Sequence, residues 1–152
     1  RLVGYENRDV ADDDFRNDEV DAGEIGVGHS VTALYEVEPV EGISESTEPA
    51  ITVRLRWEEP ETAEVIEQER TVALRDLNVS FTDSAPRFQL AVAVAEYAEL
   101  LKASPFAYEN SLDALQPEVD RINRLIAEVE GAEDAPVNEF LRLVTMAAAA
   151  QQ

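Results

Sequence analysis

The hydrophobic residues of this chain change their period near Ser80, and this change constrains the fold more than any other feature of the sequence. Before it, apolar and polar residues alternate, as in the run 51–58, which is the period of a strand with one buried face. After it, apolar residues recur every three or four positions, which is the period of a helix that packs by one side. The sequence therefore predicts strands followed by helices, an order typical of an α+β fold.

Three alternating runs predict the strands of an antiparallel sheet or small sandwich. The longest follows a glycine-rich turn, and we expect Val31 and Tyr35 to face inward along it, together with Ala33 and Val37. A short strand-like run precedes it at residues 1–5. The three runs cover residues 30–38, 51–58 and 69–75, and residues 58–68 predict a turn.

Two arginines lie on the polar side of the second predicted strand. We expect Arg54 and Arg56 to pair with carboxylates of a neighbouring strand, such as Glu36 and Glu38, in a structural role. The alternative is an anion site built from these two arginines.

Three or four helices are predicted between about residues 84 and 150. Ser84 predicts an N-cap, with Pro86 in the first turn, where a missing N–H costs nothing. The helix that follows is apolar around most of its circumference, so we expect it to be the central packing helix. A membrane-binding or partner-binding segment is the alternative, although Arg87, Glu96 and Glu99 interrupt the apolar surface.

The later helices have their own start and stop signals. Ser111 predicts the cap of a short turn, and Pro117 predicts the start of a longer helix that ends at Gly131. Asp134 with Pro136 predicts the start of a last helix. Its apolar stripe consists of Phe140, Leu141, Val144 and Ala147.

The charge balance limits the partners. Thirty-three acidic side chains against twelve basic ones give a formal net charge of −21, which repels nucleic acids and anionic lipid head groups. Cations and basic protein surfaces are compatible with it, and the simplest interpretation is an acidic shell that keeps the chain hydrated. The chain has no cysteine, which removes thiolate chemistry and disulfides. No apolar run approaches the roughly 18 residues of a membrane span.

The acidic loop 6–24 is the one candidate for a cation site. An EF-hand needs oxygen ligands at positions 1, 3 and 5 and glycine at position 6, but a register from Asp12 places Arg16 at position 5, and one from Asn17 places Ala22 at position 6. A plain acidic connector is therefore favoured. The alternative is irregular calcium binding within residues 12–24 by Asp12, Asp14, Asp18 and Asp21.

Catalytic motifs have little support. His29 is the single histidine and follows a turn, where histidine is more often a local hydrogen-bonding residue than a base or ligand. The run GEIGVG precedes a predicted strand instead of a helix N-terminus, so it does not predict a phosphate loop. We predict no enzyme and no catalytic, cofactor or metal residues. A carboxylate-dependent hydrolase is an unsupported alternative.

Three segments carry a resemblance to a known family. They are RLVGYENR at 1–8, DAGEIGVGHSVTALYE at 21–36 and FQLAVAVAEYAELLKASPFA at 88–107. Together they resemble the C-terminal region of bacterial YfbK-like proteins, which carry a von Willebrand factor type A domain. The resemblance implies a fragment of a longer chain, with the type A domain before Arg1, and a location in the cell envelope.

The expected architecture is one domain over residues 1–152. An antiparallel, sandwich-like sheet in residues 1–78, with its acidic loop, packs with a C-terminal group of three or four helices in residues 79–152. Strands and helices are expected to close on one interior. The expected function is a noncatalytic accessory module that binds the type A domain in cis and an unknown protein partner, without nucleic acid or membrane insertion.

Overall fold

The computed structural model describes residues 1–4, 10–20, 23, 25–38, 49–77, 79–107 and 110–150 of the 152-residue chain. Within these residues it contains a two-stranded antiparallel sheet followed by three α-helices, which confirms the predicted α+β class. By their contacts the residues form two compact units, one holding the sheet and the other holding the helices. The elements are β1 (Pro49–Glu58), β2 (Val65–Ala73), α1 (Pro86–Leu101), α2 (Leu112–Glu130) and α3 (Ala135–Ala150).

The two strands form a hairpin around the loop 59–64. Glu58 faces Val65 at the closed end, and the N–H of Glu59 donates to the carbonyl of Glu64 at 2.9 Å. The strand after the loop therefore starts earlier than the predicted residue 69. Residues 65–69 alternate poorly by themselves, but their backbone pairs fully with β1, and this pairing decides the structure.

Residues 30–38 do not form the predicted strand. Tyr35 makes an isolated antiparallel bridge with Leu2, and the side chains expected to face inward are open, since Val31 is 71% exposed and Val37 51%. Alternation gives a segment two different sides, but a strand also needs a paired neighbour and a covering layer. A single bridge supplies neither.

Helix α1 begins one residue later than its predicted cap implies. Ala85 occupies the N-cap position and Pro86 the first helical position, as the proline signal predicted. Ser84 is not the cap, because its hydroxyl donates to the carbonyl of Phe81 at 2.6 Å and closes the preceding turn.

The end of α1 is a Schellman-type turn with alanine at the left-handed position. Ala103 has φ +51° and its N–H donates to Leu100 at 3.1 Å, while the N–H of Ser104 donates to Glu99 at 2.9 Å. Glycine normally occupies this position, since a Cβ is unfavourable at positive φ.

Helix α2 is longer than predicted. Ser111 caps it, accepting a hydrogen bond from the N–H of Ala114 at 3.2 Å, and Gly131 ends it in the left-handed conformation, both as predicted. Pro117 does not open the helix but lies inside it, near the N-terminus. Proline there removes one backbone bond, and burial of Leu112 and Leu115 on the preceding turn offsets this cost.

Helix α3 starts as the sequence predicts. The carboxylate of Asp134 accepts a hydrogen bond from the N–H of Val137 at 3.1 Å, which is an N-cap contact. Arg87 of α1 donates to the same carboxylate at 2.6 Å and to Glu130 at 2.8 and 2.6 Å. This arginine links the start of α1, the end of α2 and the start of α3.

The buried core lies among the helices. Helix α2 packs against both α1 and α3, and Tyr97 meets Phe140 edge to face with ring centroids 5.5 Å apart. Val53, on the side of β1 that the alternation predicts to be buried, is 47% exposed. In the described part of the chain, the buried apolar residues are Ala93, Leu112, Leu115, Val119, Ile122, Ile126, Val137, Val144 and Ala148.

One polar residue is fully buried in this core. The amide nitrogen of Gln89 donates to the carbonyls of Ser84 at 2.7 Å and Thr82 at 3.2 Å, and its amide oxygen accepts from Arg121 at 2.5 Å. Arg121 also donates to Glu118 at 2.6 Å. The buried amide is therefore satisfied on both sides, as burial of a polar group requires.

Candidate interaction surface

The hairpin has one charged side and one apolar side. Residues opposite each other in an antiparallel pair share a side, so Arg54 lies beside Glu69 and Arg56 beside Glu67. On the other side Leu55 lies opposite Gln68. The remaining members of this second side are the pairs Ile51–Val72, Val53–Arg70 and Trp57–Ile66.

The charged side is held by ion pairs with the acidic connector. Arg16 donates two hydrogen bonds to the carboxylate of Glu67, at 2.9 and 2.7 Å, and these bonds hold the pKa of Glu67 below its ordinary range. Arg56 pairs with Asp18. The predicted acidic connector is therefore attached to the hairpin through one basic and one acidic residue.

A cleft of about 510 Å³ lies between the connector and the charged side. Asp13, Phe15, Arg16, Arg54 and Glu69 line it. Arg54 pairs with Glu69 at 2.7 Å, and Arg16 is held by its own carboxylate partner. Arg54 and Arg56, the two arginines of the predicted anion site, thus each have an anionic partner, and Arg56 does not line this cleft. The geometry gives that alternative no support.

The two glutamates named as example partners of the arginines were wrong, although Arg54 does pair with a carboxylate of the neighbouring strand. Arg54 and Arg56 pair with Glu69 and Asp18, while Glu36 pairs with Arg1 at 2.7 Å. The physical reason is that residues 30–38 form no strand beside β1. The predicted role, structural pairing, describes the observed contacts.

The apolar side of the hairpin is open. Leu55 is 56% exposed, Val53 47%, Trp57 41% and Ile66 36%. On the charged side, by contrast, only 19% of the Arg56 side chain is exposed. The hairpin therefore covers an arginine and leaves its large apolar residues in water, which reverses the usual preference of these residue types.

Helix α1 also has an open side. It buries Ala93 against the core, but Phe88 is 48% exposed, Val94 45% and Leu101 57%. The helix packs in the core, as expected for a central helix, and these three apolar residues near its ends and middle are accessible. The binding alternative stays a prediction. In the part of the chain that the structure describes, no helix has the length and apolar character needed to cross a bilayer.

The calcium alternative is only partly covered by the structure. Asp14 accepts a hydrogen bond from Asn17 at 3.1 Å and Asp18 pairs with Arg56, while Asp21 and Glu24 lie outside the described residues. Among the residues that are described, no group of three or more acidic or histidine side chains is arranged to hold a metal ion. The calcium alternative therefore remains a prediction.

His29 lies in a turn, as predicted. Its N–H donates to the carbonyl of Gly26 at 3.0 Å, and its imidazole approaches the same glycine. The residue is exposed. Its contacts are local ones.

The sequence did not predict the roles of Arg16 and Glu67. Arg16 is a lone basic residue in an acidic run, and no local pattern identifies its partner. Glu67 and Glu69 could have been found, because a hairpin with loop 59–64 places them opposite Arg56 and Arg54. The sequence interpretation missed this pairing because it assigned residues 58–68 to a turn instead of a shorter loop at 59–64.

Comparison with known proteins gives one family. The family described as "Uncharacterized protein YfbK, C-terminal" matches residues 1–150, which confirms the resemblance of the three segments quoted above. The "Uncharacterized protein YfbK" of Escherichia coli (strain K12) is 26% identical over 166 residues, covering 97% of this chain and 26% of that protein. The chain thus spans about a quarter of the curated relative. No solved structure matches.

Proposed function

This chain belongs to the family of YfbK C-terminal regions, and from that premise we propose that it is a noncatalytic interaction module that docks a protein surface onto the apolar side of its β1–β2 hairpin. In this proposal the docked surface is a type A domain of the same protein, which the resemblance leads us to expect before Arg1. Both the docking and the cell-envelope location are parts of this proposal.

The open apolar side of the hairpin carries the proposal. An isolated two-stranded hairpin is marginally stable in water, and the stable ones cover a hydrophobic face. Here Leu55 and Trp57, in neighbouring positions of such a face, are 56% and 41% exposed. Contiguous exposed apolar surface marks interaction sites in soluble proteins, and each buried Å² contributes about 25 cal/mol.

The charged side explains why the apolar side is the one that docks. Arg16 and Asp18 already bind Glu67 and Arg56 there, so a partner would have to displace existing ion pairs to reach β1 from that side. The apolar side offers Trp57 without such a cost. Tryptophan is enriched among the residues that dominate binding energy.

The noncatalytic part of the proposal is supported by composition. The chain has no cysteine, and His29 is its single histidine, so it has no thiol nucleophile and only one imidazole that could serve as a general base. A hydrolase that works through carboxylates alone would need two acids with divergent pKa values in one pocket. Glu67 and Glu69, the acids on the charged side of the hairpin, instead bind arginines.

Two leucines of equal exposure give a matched test of docking. Leu55 in β1 is 56% exposed and Leu101 at the end of α1 is 57% exposed. We expect Leu55→Ser to weaken binding to the purified type A domain by about tenfold, which corresponds to about 1.4 kcal/mol, and Leu101→Ser to leave it unchanged. Equal losses in both variants, or a loss in Leu101→Ser alone, would contradict docking at the hairpin.

Hydrogen exchange tests the same proposal in cis. When the type A domain is fused before Arg1, amides in β1 and β2 should exchange more slowly than in the isolated chain, because docking removes the hairpin from local opening. The amides of α2 serve as the internal reference. Unchanged exchange in both strands of the fusion would refute docking in cis.

A further inference from the structure

The closed end of the hairpin is strongly acidic. Glu58, Glu59, Glu61 and Glu64 lie in or beside the loop 59–64, and none of them forms an ion pair with another described residue. Trp57 and Ile66 are paired directly next to this loop. The acidic group therefore borders one end of the open apolar side.

The arginines of the hairpin do not neutralise this loop. Arg54 and Arg56 are held by Glu69 and Asp18 on the charged side. Arg70 lies on the apolar side opposite Val53, four residues from the pair at the loop, which is roughly 13 Å along a strand. That distance exceeds the Debye length of about 8 Å at physiological ionic strength. Glu58 itself lies on the charged side with Arg56, whereas Glu59, Glu61 and Glu64 follow it in the loop, at the end of the apolar side that Trp57 occupies.

This arrangement defines the chemistry of the partner. We propose that the surface that docks on Leu55 and Trp57 is an apolar protein surface bordered by lysine or arginine side chains that face loop 59–64. The inference rests on the proposed docking function and adds the charge and orientation of the partner. Complementary charge accelerates association and fixes orientation, whereas an acidic border on the partner would be repelled at this end.

Trp57 provides the measurement, because it is the only tryptophan of the chain and lies on the surface concerned. The probe is a short peptide of alternating leucine and lysine, and its counterpart alternates leucine and glutamate. Docking of the first peptide should shift Trp57 fluorescence to shorter wavelength as water leaves the indole. The leucine–glutamate peptide should produce no shift at the same concentration, and equal binding of the two would overturn the inference.

Two triple variants separate the loop from the general acidity of the chain. E59Q/E61Q/E64Q removes three charges at the loop, and its control removes three exposed charges from the helical unit: E128Q/E133Q/E139Q. The loop variant should bind the leucine–lysine peptide about tenfold more weakly, and the control less than threefold more weakly. The difference in peptide affinity between the loop variant and the control should disappear as salt is raised from about 0.05 to about 0.5 M.

The outcomes distinguish this inference from the docking proposal. If Leu55→Ser abolishes the Trp57 shift while the two triple variants bind equally, the basic border is refuted and docking at the hairpin stands. If neither Leu55→Ser nor the loop variant changes the shift, both are refuted. A loss in the loop variant and in Leu55→Ser, with the control unaffected, supports both.

Discussion

Ala103 and Gly131 are the left-handed residues that follow α1 and α2, and exchanging alanine and glycine at each position tests what ends each helix. Their φ angles are +51° and +72°. A residue with a Cβ loses about 1–2 kcal/mol in the left-handed conformation, whereas glycine loses more chain entropy on folding, about 0.5–1 kcal/mol. We therefore expect Ala103→Gly to raise the free energy of unfolding by about 0.5–1 kcal/mol.

The reverse exchange should have the reverse effect. A Cβ built on Gly131 meets no heavy atom within 4 Å, so Gly131→Ala tests the backbone alone and should cost about 1 kcal/mol. Urea unfolding followed by circular dichroism at 222 nm measures both variants on the helices themselves. In thermal unfolding, each kcal/mol should shift Tm by roughly 2–4 °C for a chain of this size. If Ala103→Gly destabilises the helices, the left-handed cost assigned to Ala103 is wrong.

Three further variants test electrostatics and packing. Arg87 holds the pKa values of Glu130 and Asp134 below their ordinary range through hydrogen bonds. Stability from depressed carboxyl pKa values is present at neutral pH and lost on acidification, so Arg87→Gln should lose stability at pH 7 but match the parent near about pH 2 in urea unfolding. A difference in the free energy of unfolding that is the same at both pH values would contradict this. Burial raises the pKa of Glu96, so its charged form opposes folding. Glu96→Gln should therefore raise the free energy of unfolding by up to about 0.5 kcal/mol at pH 7 and leave it unchanged below about pH 4. A gain that persists in acid would exclude this cause. Ile122 is fully buried, so Ile122→Ala should lose about 2–5 kcal/mol in the same assay, and a loss below about 1 kcal/mol would indicate a loose core.

The helices could be predicted because each carries its information locally. Ser111, Gly131 and Asp134 perform the capping roles that their positions predict. Pro117 was misjudged because proline signals a helix start by local rules, whereas burial of Leu115 and Val119 on one continuous side extends the helix across it. Tertiary packing decides such cases, and it is not visible in the local pattern.

The strands could be predicted less well because a strand depends on its neighbours. Residues 30–38 alternate as regularly as β1 does, yet only β1 finds a paired strand, and the deciding factor is the loop 59–64. The candidate surface was partly visible in the sequence, since the alternation within residues 51–58 puts Leu55 and Trp57 on one side of the strand. Their exposure was not, because the alternation of a strand gives the same pattern for a buried and an open apolar side.

The buried Gln89 has a consequence for how α1 is placed. This helix is apolar on most of its circumference, so the hydrophobic effect alone does not select which side turns inward. Rotation of α1 about its axis, or a slide by one turn, would separate Gln89 from Ser84 and Arg121 and leave an amide without partners in a dry interior. This single amide thus specifies one alignment of α1 in the core. An apolar replacement such as Gln89→Leu should preserve stability while allowing several alignments of the same helices.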